Sequence, residues 1–100
     1  MARWFYVIKF DPKEDERKVL DWIKTKGLKH WRSIDGVLSA RAFLRSIGLG
    51  PRPVIQVWLE IRDFSVLDSW KETVRQTLAF EELFPMVTAF ESGLVKEVEP

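Results

Sequence analysis

Residues 54–63 read VIQVWLEIRD, and this stretch decides the architecture. Ile55, Val57, Leu59 and Ile61 occupy every second position and are purely aliphatic. Gln56, Trp58, Glu60 and Arg62 fill the positions between them. Alternation with period two places successive side chains on opposite faces of a strand. One face of this strand is therefore dry, and the other combines an indole with an amide and charged groups.

Working outward, Val37 to Ile47 alternates in the same way, with Leu38, Ala40, Ala42 and Leu44 apolar and Ser39, Arg41, Phe43 and Arg45 between them. Gly48-Leu49-Gly50-Pro51-Arg52-Pro53 joins the two as a stiffened loop, which predicts an antiparallel hairpin. Arg3 to Phe10 carries aromatic and β-branched residues on both faces, as a central strand does. Asp11-Pro12-Lys13-Glu14 reads as a helix start, with Asp11 as cap and Glu14 completing a capping box. Val19, Leu20, Trp22 and Ile23 form the helix's apolar stripe, and Gly27 is the expected C-cap. Leu28 and Trp31 predict one further turn before Ile34-Asp35-Gly36 reverses the chain.

Ser65 and Asp68 make a second capping-box pattern, opening a helix with an inner stripe of Leu67, Trp70, Val74 and Leu78. Phe80 to Phe84 is expected as a short helical piece stopped by Pro85. Val87 to Val98 is the last strand, with a bulge expected at Gly93. The order β-α-β-β-α-β is the split βαβ, or ferredoxin-like, arrangement: an α+β fold with a four-stranded antiparallel sheet and two helices on one face. The aliphatic rows 38/40/42/44 and 55/57/59/61 are expected beneath the helices.

The totals agree with one domain spanning 1–100. Hydrophobic residues make up 46% and charged residues 31%, which excludes a disordered chain. Sixteen basic and 15 acidic side chains give a net charge of +1, so no long-range field recruits nucleic acid or anionic membrane. Cysteine is absent, which removes disulfides and thiolate chemistry and fits a cytoplasmic protein. The apolar start MARWFYVIKF is too short for a signal sequence or a membrane span. Five Trp and seven Phe are many for 100 residues, and a second chain would help to bury them.

An uncovered sheet face would hold Phe43 and Trp58, with Phe5 and Val7 from the first strand, among Lys9, Arg41, Arg45, Gln56 and Glu60. Leaving such rings in water forfeits roughly 1.5–3 kcal/mol each, so the face is expected to be an interface or a ligand site. Glu60 beside Trp58 is the candidate acid or base, its pKa raised if the site is dry. Arg41, with Arg45, is the candidate clamp for an anionic or enolate oxygen. Tyr6, Lys9, Phe43, Arg45, Gln56 and Trp58 are candidate substrate-binding residues. The plainer reading of the charged group is a cross-strand carboxylate–arginine salt bridge.

His30 is the single histidine; it could serve as a base or haem ligand, or simply end a helix. One histidine without cysteine gives no metal set, and no cofactor is called for. Ser39, Ser46, Ser69 and Ser92 have no histidine partner for nucleophilic catalysis. Trp22, Trp31 and Trp70 fall at helical spacing and are assigned to the core. Gly48-Leu49-Gly50 lacks the Lys-Ser/Thr of a phosphate loop.

Three segments resemble the dimeric α/β-barrel superfamily. Ser33-Ile34-Asp35-Gly36-Val37 with Ser39 to Phe43 resembles the superfamily's glycine-valine entry into its second strand, with Asp35 where many members have proline. Val57-Trp58-Leu59-Glu60-Ile61, with Asp63-Phe64-Ser65 and Trp70, is similar to the passage from the third strand to the second helix. Leu83-Phe84-Pro85-Met86-Val87 resembles the exit from that helix, so the likeness spans residues 3 to 98. It implies a homodimer whose sheets close into a barrel, with a pocket in the lumen or between sheet and helices. Members include cofactor-independent monooxygenases of polyketides, lactone isomerases, haem-binding or haem-degrading proteins and amino-acid-sensing domains, and the fold does not choose among them.

The expectation is therefore a homodimer binding a small, partly apolar molecule that could carry negative charge. The alternatives are a cofactor-independent monooxygenase or isomerase, and a regulatory or interaction module without catalysis. An RNA-recognition motif has the same strand order, but its K/R-G-F/Y-G/A-F-V-x-F/Y run is missing from residues 53–60, and Glu60 would repel phosphate.

Overall fold

The structure is a computed structural model that describes residues 2–45, 54–63, 65–66 and 79–99. Its four strands are β1 (Trp4–Pro12), β2 (Val37–Leu44), β3 (Ile55–Ile61) and β4 (Val87–Lys96). They form one antiparallel sheet in the order β2-β3-β1-β4. Between β1 and β2 runs a helix in three stretches: α1 (Glu16–Trp22), a π-helical turn (Ile23–Gly27) and α2 (Leu28–Arg32). A π-helical turn (Ala79–Leu83) and a 3-10 turn (Phe84–Met86) lead into β4. The 65–78 helix expected from sequence, with Trp70 and its inner stripe, lies outside the described residues apart from its first two positions, as does the 46–53 loop.

The dry row of β3 is the floor of the core. Ile55, Val57, Leu59 and Ile61 are all buried, and Ile8, Phe10, Val19, Ile23, Trp31 and Leu83 pack with them. Trp22 and Trp31 meet edge to face with ring centroids 5.9 Å apart, so both belong to the core as their spacing predicted.

Several local expectations are corrected. Asp11 does not cap the helix: it and Pro12 remain in β1, paired with Thr88 and Val87. The Asp11 carboxylate is buried and accepts a 2.8 Å hydrogen bond from the Val54 N–H, which holds the start of β3 instead. Asp15 is the cap, accepting from the N–H groups of Arg17 and Lys18. At the next helix start, Asp63 accepts from both the N–H and the hydroxyl of Ser65.

The 38/40/42/44 row is broken by a bulge. Val37 pairs with Ile61 and Ser39 with Glu60, so Leu38 is the extra residue and is 63% exposed. Ala40 is buried and Ala42 and Val37 pack on the core, whereas Leu44 is exposed at the strand end. The β4 bulge is not at Gly93, which pairs regularly with Val7. It lies at Ala89 and Phe90, between the partners of Asp11 and Lys9, and Ala89 has φ +52°. Phe90 thereby stacks on Phe10 and meets Phe84 edge to face. Pro85 does not stop the helical piece before it but sits within the 3-10 turn.

Gly36 has φ +88° at the reversal before β2, where a side chain would also strike Val66. Gly27 is not a C-cap: its φ is ordinary, the helix continues through it, and it is buried between two indoles. A Cβ there would stand 2.7 Å from Trp22 Cζ3 and 3.1 Å from Trp31 Cζ3. Gly27→Ala sets a gain in helix propensity of about 1 kcal/mol against overpacking of two rigid rings, typically 1–3 kcal/mol. Overpacking should win, so the variant should lose up to about 2 kcal/mol in urea unfolding. An unchanged midpoint would show that the indoles can part.

Candidate functional site

Strand register arranges the other side of the sheet as a grid. One row across β2, β3, β1 and β4 is Arg41, Trp58, Val7, Gly93. A second is Ser39, Glu60, Phe5, Val95, and a third is Phe43, Gln56, Lys9, Glu91. All alternate with the core-facing residues, so they share the face opposite the helix 16–32. Phe43 and Val95 on this face are exposed at 51% and 42%.

Trp58 lies at the middle and is fixed from two sides. Its indole N–H donates to Gln56 Oε1 at 3.0 Å, and Phe5 meets its ring edge to face at 5.5 Å. Two recesses share this ring. The larger, about 680 Å³, lies over β2 and β3, with Phe5, Arg41, Phe43, Arg45, Gln56 and Glu60 around it. The smaller, about 230 Å³, lies over β1 and β4 and is bounded by Val7, Lys9, Glu91, Gly93 and Val95.

The candidates from sequence are thus distributed unevenly. Glu60, Arg41, Phe43, Arg45, Gln56 and Trp58 meet around the larger recess, and Lys9 borders the smaller one. Tyr6 does neither. It packs against the core on the helix side, and its hydroxyl donates to Ser92 Oγ at 2.9 Å. His30 lies on α2, also in the helix layer; its Nε2 is buried and hydrogen-bonds to nothing among the described residues.

Arg3 was missed. Its Nε and Nη2 grip the two Glu60 oxygens at 2.9 and 2.8 Å, and its guanidinium lies 5.1 Å over the Phe5 ring. Period two from Phe5 would have placed Arg3 on this face, diagonal to Glu60 across the strand pair. The carboxylate–arginine bridge therefore exists, but with β1's arginine rather than Arg41 or Arg45. Arg41 faces Trp58 in register and reaches Glu60 only through space.

This arrangement reverses the expected titration of Glu60. The hydrogen bonds from Arg3 hold its carboxyl below the usual carboxylate range, outweighing the upward push of desolvation, with smaller help from the charges of Arg3 and Arg41. At neutral pH it is an ionised, occupied acceptor and a weak base. Among the described residues no group of three His, Cys, Asp or Glu could hold a metal ion, and no helix is long and apolar enough to cross a membrane.

No family model matches the chain, and no curated protein matches it in sequence. Solved structures do match, over nearly the whole length. An EthD family protein from Bacillus halodurans superposes with TM-score 0.74 at 10% identity, covering 96% of this chain and 99% of that one. A dabb family protein with a ferredoxin-like fold from Mesorhizobium loti gives 0.70 at 16%, covering 100% and 99%. A dimeric protein of unknown function from Bacteroides fragilis gives 0.67 at 10%, covering 95% and 96%. The chain has the ferredoxin-like fold. The resemblance read from its three segments holds at that level, and identities of 10–16% carry the fold alone.

Arg3→Met should return the Glu60 pKa towards its ordinary value, as read by carboxyl carbon NMR titration. The sign for stability follows from linkage. A carboxyl depressed in the folded state stabilises above its unfolded pKa, about 4.3, and that contribution disappears as pH falls through the depressed value. The stability gap between wild type and Arg3→Met should therefore be present at neutral pH and close in acid. A gap that widens in acid would contradict the pairing.

Proposed function

We propose that the protein is a cytoplasmic homodimer whose two sheet faces opposite the helix 16–32 meet and enclose a site for a small, partly apolar, anionic molecule. The observation that carries this reading is the face itself. Phe5, Phe43, Val95 and the half-buried Trp58 stand among arginines on the sheet face opposite the helix 16–32, with none of the described helical segments above them. An apolar surface of that kind in a small domain marks an interface or a ligand site. The Bacteroides fragilis neighbour is described as dimeric, which supports a paired assembly for this chain. The near-zero net charge and Glu60 on the face argue against RNA as the occupant.

A catalytic reading gives Glu60 the proton-transfer role and Arg41 the developing oxyanion, in a cofactor-independent monooxygenase or isomerase. The Arg3 grip on Glu60 weighs against it, because a base that accepts two charge-assisted hydrogen bonds must lose them to take a proton. Binding without turnover is the reading that the geometry favours. Glu60→Gln should accordingly leave ligand binding within about threefold, a difference near 0.65 kcal/mol.

Sedimentation velocity at micromolar concentration should show a dimer, and Phe43→Glu should shift it to monomer while leaving the circular dichroism spectrum unchanged. Monomer in the wild type would remove the proposal. A dimer that tolerates Phe43→Glu would move the interface elsewhere. Native mass spectrometry of the dimer reports any co-purified small molecule.

A further inference from the structure

The row Arg41–Trp58–Val7–Gly93 changes character along its length, and that gradient specifies a ligand shape. At the β2 end, Arg41 makes no ion pair among the described residues and reaches Glu60 only through space. The acidic group lining that recess, Glu60, is already paired with Arg3. In the middle, Trp58 is locked by Gln56 and Phe5 and offers its ring to both recesses, and Val7 beside it is buried. At the β4 end, Gly93 presents bare backbone: a side chain added there would meet no heavy atom within 4 Å. Lys9 and Glu91, of opposite charge, flank that end directly opposite each other in register. Across about 14 Å, at roughly 4.8 Å per strand, the face thus runs from Arg41, which makes no ion pair among the described residues, over an aromatic centre to the bare backbone of Gly93.

We infer that the ligand is an elongated amphipathic carboxylate that lies across the strands, its head on Arg41 and its apolar body over Trp58 and Val7, and that Gly93 sets how long it can be. This rests on the ligand-binding reading above and adds the ligand's class, its direction and the residue that limits its length. Arg41 supplies planar paired donors suited to a carboxylate. The fixed indole supplies apolar contact without ordering cost at the moment of binding. The missing side chain at Gly93 keeps the smaller recess open. Valine at 93 would rise beside Val7 and close it.

Isothermal titration calorimetry of the full chain with benzoate and para-phenylbenzoate tests this. Wild type should prefer the longer probe by about tenfold, equivalent to some 1.4 kcal/mol. Gly93→Val should cut that preference to about twofold, or 0.4 kcal/mol, and Gly93→Ala should fall between. Arg41→Gln should weaken both probes alike and leave their ratio intact. Valine suits a strand better than glycine, so the thermal midpoint of Gly93→Val should equal or exceed that of wild type. A preference that survives Gly93→Val overturns the inference, and so does failure of both probes to bind wild type. Loss of the dimer on Gly93→Val also overturns it, since the recess would then hold a side chain of the second copy. The reading beneath it fails by a different result, a monomeric wild type in sedimentation.

Discussion

A strand has two faces, and the described helix here covers only one of them. Alternate residues of the strands therefore face away from the helix-side core cluster, except where the bulges of β2 and β4 break the alternation. In β3 the division is complete: Ile55, Val57, Leu59 and Ile61 are buried, while Gln56, Trp58 and Glu60 are half-buried on the far side. The antiparallel register carries the same division into β1 and β2, so one strand's alternation commits its neighbours. Core, open face and candidate site all follow from that single phase.

Much of this was legible because period two is a strong signal and β3 obeys it without exception. The errors fall where a side chain had two local options and a distant partner decided. Asp11 resembles a helix cap, yet the Val54 N–H, 43 residues away, takes its carboxylate into the sheet. Gly27 resembles a helix end until Trp22 and Trp31 are seen closing on it from both sides. Leu38 continues an apolar row in the sequence, but one extra residue in the ladder turns it to solvent. The choice of Arg3 over Arg41 and Arg45 as the partner of Glu60 needed the pairing of β1 with β3. The hairpin signal could not supply it, because that signal joins only β2 to β3.

On the open face several polar groups already have partners among the described residues. Glu60 is taken by Arg3, the Trp58 N–H by Gln56, and Lys9 stands across from Glu91. Charge-assisted hydrogen bonds of this kind fix orientation, and they also lower the reactivity of the groups they satisfy. A site that must move a proton needs a group poised near neutral pH, and Glu60 is displaced the other way. A site that only binds needs fixed surfaces and one or two unspent charges. The proposed site fits that second case, with Arg41 among its charges and Trp58 as its surface.

In the proposed dimer, packing adds a reason for space to be retained. Two sheets stacked face to face lie about 10 Å apart, filled by side chains from both. Trp58 and Phe43 are long enough to set that separation where they stand, whereas Ser39 and Gly93 are not. Two copies related by a twofold axis present the same short positions twice. The gap beside Gly93 would then be closed only if a large residue of the other copy happened to oppose it. Ser39 and Gly93 sit at opposite edges of the sheet, so no single long side chain can fill both. In the proposed dimer, an interior held open at its edges and pinned at its aromatic centre would favour a molecule that is long and thin over one that is compact.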